Sequence, residues 1–154
     1  MRKNWDEYFM NITDAVGLRA TCDRGRSGAI IVKDNKILAT GYAGSPPGLP
    51  HCDEVGHRLI TVIENGITSE HCIRTIHSEV NAMLQAAEFG IKIKGATLYC
   101  KMSPCYNCAM SIIRVGIIRV VAKKHYQKEQ ETIKMFRQSN IEFVILEDEI
   151  QKYE

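Results

Sequence analysis

The chain has 154 residues, of which 25% are charged and 45% hydrophobic, with a formal net charge of +2. A domain of that length buries roughly 70% of the surface its unfolded form exposes, so a core forms without disulfide staples. The small net charge argues against sheathing a long polyanion, and no window reaches the roughly 18 consecutive apolar residues of a membrane span.

The opening MRKNWDEYF turns acidic and polar before a signal-peptide apolar region can begin, so a cytoplasmic location is expected. Trp5, Tyr8, Phe9, Ile12 and Val16 recur at helical spacing, and Asn4 with Glu7 matches a capping box, which predicts a first helix ending near Gly17. AIIVKDNKILATGY reads as two strands joined at Asp34-Asn35, residues that tolerate left-handed turns. After the loop GYAGSPPGLP, the segment EVGHRLITVIENG reads as a helix with Val55, Leu59, Val62 and Ile63 inward and Gly66 near its end.

A further helix is predicted over about 77–89, with Val80, Met83, Leu84 and Ala87 on one face and Gly90 closing it. ATLYC is a strand, 105–115 repeats the helical pattern through Cys108, Ala109, Ile112 and Ile113, and IIRVVA is a strand again. A polar helix that turns Ile133 and Phe136 inward then leads to the strand EFVIL and the acidic tail EDEIQKYE. A hairpin followed by strand-helix alternation predicts a single α/β domain over 1–154: a mixed sheet with helices on both faces and ligands at the carboxyl ends of its parallel strands.

Six cysteines in a reducing compartment seldom pair as structural disulfides, so they read as metal ligands, catalytic groups or buried apolar residues. HSEV and PCYNC decide among these. A hydrolytic zinc takes three protein ligands and leaves one position open, and His77, Cys105 and Cys108 supply one nitrogen and two thiolates. Cys-x-x-Cys at a helix start puts both sulfurs on one side of the first turn, where the helix dipole favours thiolate. Water on such a zinc falls from a pKa of about 15.7 toward about 7, and Glu79, two residues from His77, is placed to carry protons without binding metal. Alone, Cys-x-x-Cys also fits a redox pair or half of a zinc finger; His-x-Glu and Pro-Cys-x-x-Cys in order, each opening a helix, favour catalysis over packing.

With these motifs, and with WDEYFM, RSGAIIVKDNKILATGY, HCIRTIHSEVNA, GATLYCKMSPCYNCA and GIIRVV, the chain resembles the zinc-dependent cytidine deaminase superfamily over nearly its whole length. Within it, the resemblance is greatest to deoxycytidylate (dCMP) deaminases; Ser78 stands where the family usually has another small residue. The resemblance implies a cytidine-deaminase-like three-layer α-β-α sandwich on a mixed five-stranded sheet. It also implies His77, Cys105 and Cys108 on a catalytic zinc, Glu79 as proton shuttle, and hydrolytic loss of ammonia from cytosine C4. A homo-oligomer, hexamer or dimer, with dCTP or dTTP as possible effectors, is the corresponding expectation for partners.

The connection at about 44–76 is long for a compact domain unless it has its own order. Cys22, Cys52, His57 and Cys72 make a candidate closed four-ligand site for a second, structural zinc ordering this insert, with His51 or His71 as alternates and burial as the plain reading of any one Cys. Cys100 is assigned to packing. For substrate, Arg24 and Arg26 are candidate phosphate ligands, with solvated surface charge the competing reading. Ser103 is a candidate contact to the base, and Tyr126 either stacks on it or faces a neighbouring subunit; Arg74 and His125 are weaker phosphate candidates. GYAG, Gly41 to Gly44 with Tyr42 as a candidate contact, carries Ala43 where related sequences have a sugar-binding Asn, so recognition there is remade or relaxed. A tRNA adenosine deaminase uses similar motifs, but the nearly neutral chain and acidic tail disfavour a nucleic-acid partner. A noncatalytic zinc module leaves Glu79 without a task.

Overall fold

The computed structural model describes residues 1–153. Asn4 caps α1 (Trp5–Gly17): its side chain accepts from Glu7 N at 2.9 Å, and the Glu7 carboxylate accepts from Asn4 N at 3.3 Å. β1 (Gly28–Lys33) and β2 (Lys36–Tyr42) form the hairpin, whose turn residues Asp34 and Asn35 both take positive φ. β5 (Thr97–Met102), β6 (Arg119–Tyr126) and β7 (Glu142–Ile145) run parallel, and β5 pairs antiparallel with β1. The resulting order, β2-β1-β5-β6-β7, is the mixed five-stranded sheet expected; a short β8 (Ile150–Gln151) is added alongside the far end of β6.

Helices cover both faces. On one, α1 packs Phe9 and Met10 on Ile30, Val32, Tyr99 and Val121. Trp5 and Tyr8, which share the helical spacing of Phe9, are 55% and 47% exposed and pack edge-on or stacked with each other and Phe9. On the other face lie α3 (Ser78–Glu88), α4 (Tyr106–Arg114) and α5 (Gln130–Gln138). Ala82, Met83, Ala86, Ala109, Ile112 and Phe136 meet Ile31, Leu98, Val120 and Ala122, each large aliphatic contributing about 1.5–3 kcal/mol by burial. The buried face of α3 is rotated from the expected one and leaves Leu84 49% exposed. The helix sits close against β2 through small residues: a Cβ on Gly41 would lie 2.2 Å from Ala82 N.

The insert departs furthest from expectation. In place of a helix over EVGHRLITVIENG, a single turn α2 (Cys52–Val55) is followed by an antiparallel hairpin, β3 (Leu59–Glu64) and β4 (Ile67–Cys72). The reason is local: Ile60, Thr61, Val62 and Ile63 are β-branched in succession, and Asn65-Gly66, both at positive φ, form the two-residue turn. No helix among the described residues is long and apolar enough to cross a membrane.

Candidate active site

Two helix starts build the first cluster. His77 is the extended residue before α3, and Cys105 is the N-cap of α4, its Sγ accepting from Cys108 N at 3.5 Å. His77 Nδ1 lies 3.5 Å from Cys105 Sγ and 3.4 Å from Cys108 Sγ. Tetrahedral zinc, with bonds of about 2.3 Å to sulfur and about 2.0 Å to nitrogen, sets sulfur-nitrogen separations of about 3.5 Å, so the three atoms fit one ion. The Cys108 thiol and then the His77 ring hold Cys105 down to about 4, in the thiolate form that binds metal, and Cys105 in turn holds His77 up to about 9.

Glu79 lies in the first turn of α3, 8% exposed, with Oε2 4.0 Å from Cys108 Sγ. Burial raises its pKa, and the Ser78 hydroxyl donates to Oε2 at 3.2 Å. The carboxyl therefore sits beside the three ligand atoms without being one of them. α5 braces the loop beneath: Thr132 Oγ1 donates to Pro104 O at 2.8 Å.

His77, Glu79 and Cys105 open onto a cavity of about 120 Å³ at the carboxyl ends of β5 and β6, where Met102, Ser103 and Tyr126 form part of its wall. That is where an open α/β sheet places its ligands.

The second cluster joins four segments. Cys22 precedes β1, Cys52 opens α2, His57 follows it, and Cys72 ends β4. Their ligand atoms lie within 4.8 Å of one another, with Cys22 Sγ 3.5 Å from His57 Nδ1 and Cys52 Sγ 3.5 Å from Cys72 Sγ, again separations that suit tetrahedral zinc. The other His57 nitrogen pairs with Asp23 at 2.9 Å, the carboxylate-histidine arrangement that orients metal-bound imidazoles. Burial pushes Cys52 up to about 12; it opposes ionisation of Cys72 too, yet backbone N–H groups of Arg74 and Arg58 bring that thiol down to about 7. His51 and His71 stay outside: His71 Nε2 is 2.9 Å from Ser69 Oγ, and His51 Nδ1 is buried without a partner among the described residues.

Residues 3–124 match the family model for the cytidine and deoxycytidylate deaminase zinc-binding region. The chain belongs to this deaminase family. It is 38% identical over 140 residues to the ComE operon protein 2 of Bacillus subtilis, covering 91% of this chain and 70% of that one. To the deoxycytidylate deaminase of Saccharomyces cerevisiae it is 33% identical over 141 residues, covering 92% of this chain but 44% of the yeast protein, less than half its length. Among solved structures, dCMP deaminase from the cyanophage S-TIM5 in complex with dCMP and dUMP superposes with a TM-score of 0.72 at 28% identity, covering 94% of this chain and 98% of that one. The mixed sheet between helical layers is thus the cytidine-deaminase-like fold.

The other candidates of this deaminase are placed unevenly. Ala43, Ser103, Arg24, Arg26 and Tyr126 line the cavity, whereas Tyr42 is outside the lining set and offers its backbone carbonyl to Asn81 Nδ2 at 2.8 Å. Ser103 Oγ is buried with no partner among the described residues, a polar atom free for a ligand. Arg26 is engaged: it forms a two-point pair with Asp53 at 3.0 and 3.1 Å and donates to Ala20 O. Arg24 donates to Glu70 O at 2.8 Å. Arg74 Nε is bound to Gly56 O at 3.0 Å and His125 Nδ1 to Glu129 Oε1 at 2.6 Å, and neither residue lines the cavity. Cys100 is fully buried, its Sγ 3.2 Å from Met102 O.

Cavity residues that escaped the sequence reading include Met102, His71 as a wall residue, and Tyr153. Tyr153 is the aromatic of a tail that registers in sequence only as acidic, so no local signal marks it.

Proposed function

We propose that the chain deaminates dCMP hydrolytically to dUMP in pyrimidine nucleotide metabolism. The observation that carries this is Glu79: a buried carboxyl beside three convergent ligand atoms, on the wall of a cavity. Zinc, when held by His77, Cys105 and Cys108, supplies a water whose pKa falls from about 15.7 toward about 7. Glu79 would take the first proton of that water and deliver it to N3 as the oxygen bonds to C4, then take the second from the new C4 hydroxyl and pass it to the amine, which leaves as ammonia when the C4–N bond breaks. Burial, which raises the Glu79 pKa, favours a carboxyl that can hold a proton as well as release one. dCMP is favoured because the cyanophage enzyme, matched over 98% of its length, binds dCMP and dUMP.

Ser103 is the polar wall atom for the base, Tyr126 an aromatic wall beside it, and Arg24 the cation for the phosphate. Ala43 forms an apolar patch beside the sugar. Cys22, Cys52, His57 and Cys72 hold a second, structural zinc that orders the insert at about 44–76; such sites contribute about 10–16 kcal/mol of apparent binding energy. The chain assembles as a homo-oligomer, which gives the exposed Val55, Leu59 and Ile63 of the insert a surface to meet. dCTP and dTTP are its candidate effectors, and a response of turnover to either checks this.

The test is ammonia release from dCMP, CMP, dCTP, deoxycytidine and a tRNA anticodon stem by one zinc-loaded preparation. Fastest turnover is expected with dCMP. Turnover confined to the tRNA adenosine would replace this reading with the RNA-editing one.

A further inference from the structure

The segment after β7 does not trail away from the domain. β8 pairs in parallel with His125 and Tyr126, and the backbone is held by His125 N donating to Glu149 O at 2.9 Å and Gln127 N to Gln151 O at 3.1 Å. The Gln127 side-chain amide then donates to Tyr153 O at 3.2 Å. These bonds bring the Tyr153 ring to the wall of the cavity that also contains Glu79 and Ser103.

There the ring is fixed by several separate parts of the chain. The Arg24 guanidinium lies 5.6 Å from its centroid, the Tyr126 ring 6.2 Å away at 61°, and the His71 ring 6.4 Å away at 51°. Gly25 is required by this approach, since a Cβ on it would come within 2.8 Å of the Tyr153 hydroxyl. That hydroxyl has as its partner Met102 Sδ at 3.7 Å, a weak acceptor that leaves a phenol donor largely unused inside the site. With the ring in place the cavity measures about 120 Å³, small beside the roughly 300–1,000 Å³ of ordinary ligand pockets.

We propose that Tyr153 is a substrate-contacting residue: β8 delivers its ring into the cavity, where it packs on the bound pyrimidine nucleotide and offers it the free hydroxyl. This rests on the deaminase reading for the identity of the nucleotide, but not for the contact. The contact is present in ground and transition states alike, so it acts on binding and leaves the chemical step to Glu79.

The experiment compares zinc-loaded parent, Tyr153→Phe, Tyr153→Leu and Tyr153→Ala. It measures KM and kcat for dCMP, the Kd of unreactive dUMP by calorimetry, zinc content and melting temperature. Aromatic stacking on a base is worth about 1–3 kcal/mol, so Tyr153→Ala should raise KM and the dUMP Kd about tenfold or more, with kcat within about twofold. Tyr153→Phe should recover most of that loss, its remaining deficit measuring the hydroxyl. If the alanine variant loses zinc or melts early, Tyr153→Leu, which keeps apolar bulk without an aromatic face, reads the same contact. Unchanged KM and Kd in a folded leucine or alanine variant overturn the proposal, as does a fall in kcat with KM and Kd constant. A parent that binds dUMP through Tyr153 yet does not turn over dCMP would sink the deaminase reading and leave Tyr153 standing.

Discussion

The two Cys/His clusters use the same donor types at the same spacing and differ in what surrounds them. His77, Cys105 and Cys108 are three ligands on two helix starts, with the buried Glu79 beside them and a cavity in front. Cys22, Cys52, His57 and Cys72 bring four potential ligand atoms together from separate segments, backed by Asp23 on His57. Three donors leave a tetrahedral ion one position for chemistry; four close it. Donor count, and a buried carboxyl that faces a cavity rather than one that pairs with a ligand's ring, are what would separate a reacting centre from a staple.

The largest effect expected on this contrast is from Glu79→Gln, which should lower kcat for dCMP about a thousandfold while zinc content and melting temperature stay at parental values. An active Glu79→Gln variant breaks the assignment of roles. Next, Cys52→Ser should remove one of two zinc equivalents and open the hairpin of β3 and β4 to protease, whereas Cys105→Ser should remove the other and leave the hairpin resistant. One zinc per folded parent chain, by metal analysis, erases the second cluster as a metal site.

Graded chelation sharpens the same point: activity should disappear before the melting temperature falls, because the three-ligand ion is the one open to a competing ligand. Ser78→Ala, which deletes the hydrogen bond to Glu79 Oε2, should lower kcat about fivefold with both zinc equivalents retained. The smallest effect belongs to a pair remote from both clusters. Arg119 hydrogen bonds hold Asp6 below the usual carboxylate range, so the pair stabilises above the unfolded pKa of about 3.9, and that stability is lost as pH falls through the lowered value. Asp6→Asn should therefore cost about 1 kcal/mol at pH 7 in denaturant melts, less below about pH 4, and change neither activity nor zinc content.

The first cluster was legible because its geometry is local. His77 and Cys105 stand at helix starts and Cys108 in the first turn after Cys105, so His-x-Glu and Cys-x-x-Cys fix relative directions within one helical turn. The β1-β2 hairpin was legible for a like reason, its turn residues being the ones that accept positive φ. The insert was misread because its apolar residues also fit helical spacing; four successive β-branched side chains and Asn65-Gly66 outweigh that spacing. Arg26 illustrates a different limit: its sequence neighbourhood does not reveal that Asp53, 27 residues on, already takes its guanidinium.

By itself, then, the sequence determined which donors open the two helices, that Glu79 stands beside them, and the alternation of strand and helix around the main sheet, all of which follow from spacing within a few residues. Only the tertiary structure decided that Cys22, Cys52, His57 and Cys72 converge, that Arg26 is committed and Tyr42 lies apart, and that Tyr153 joins the wall of the cavity. Those outcomes depend on which strands pair and which loops meet across the sheet, and such long-range contacts are set by the packing of the whole chain, not by any local pattern.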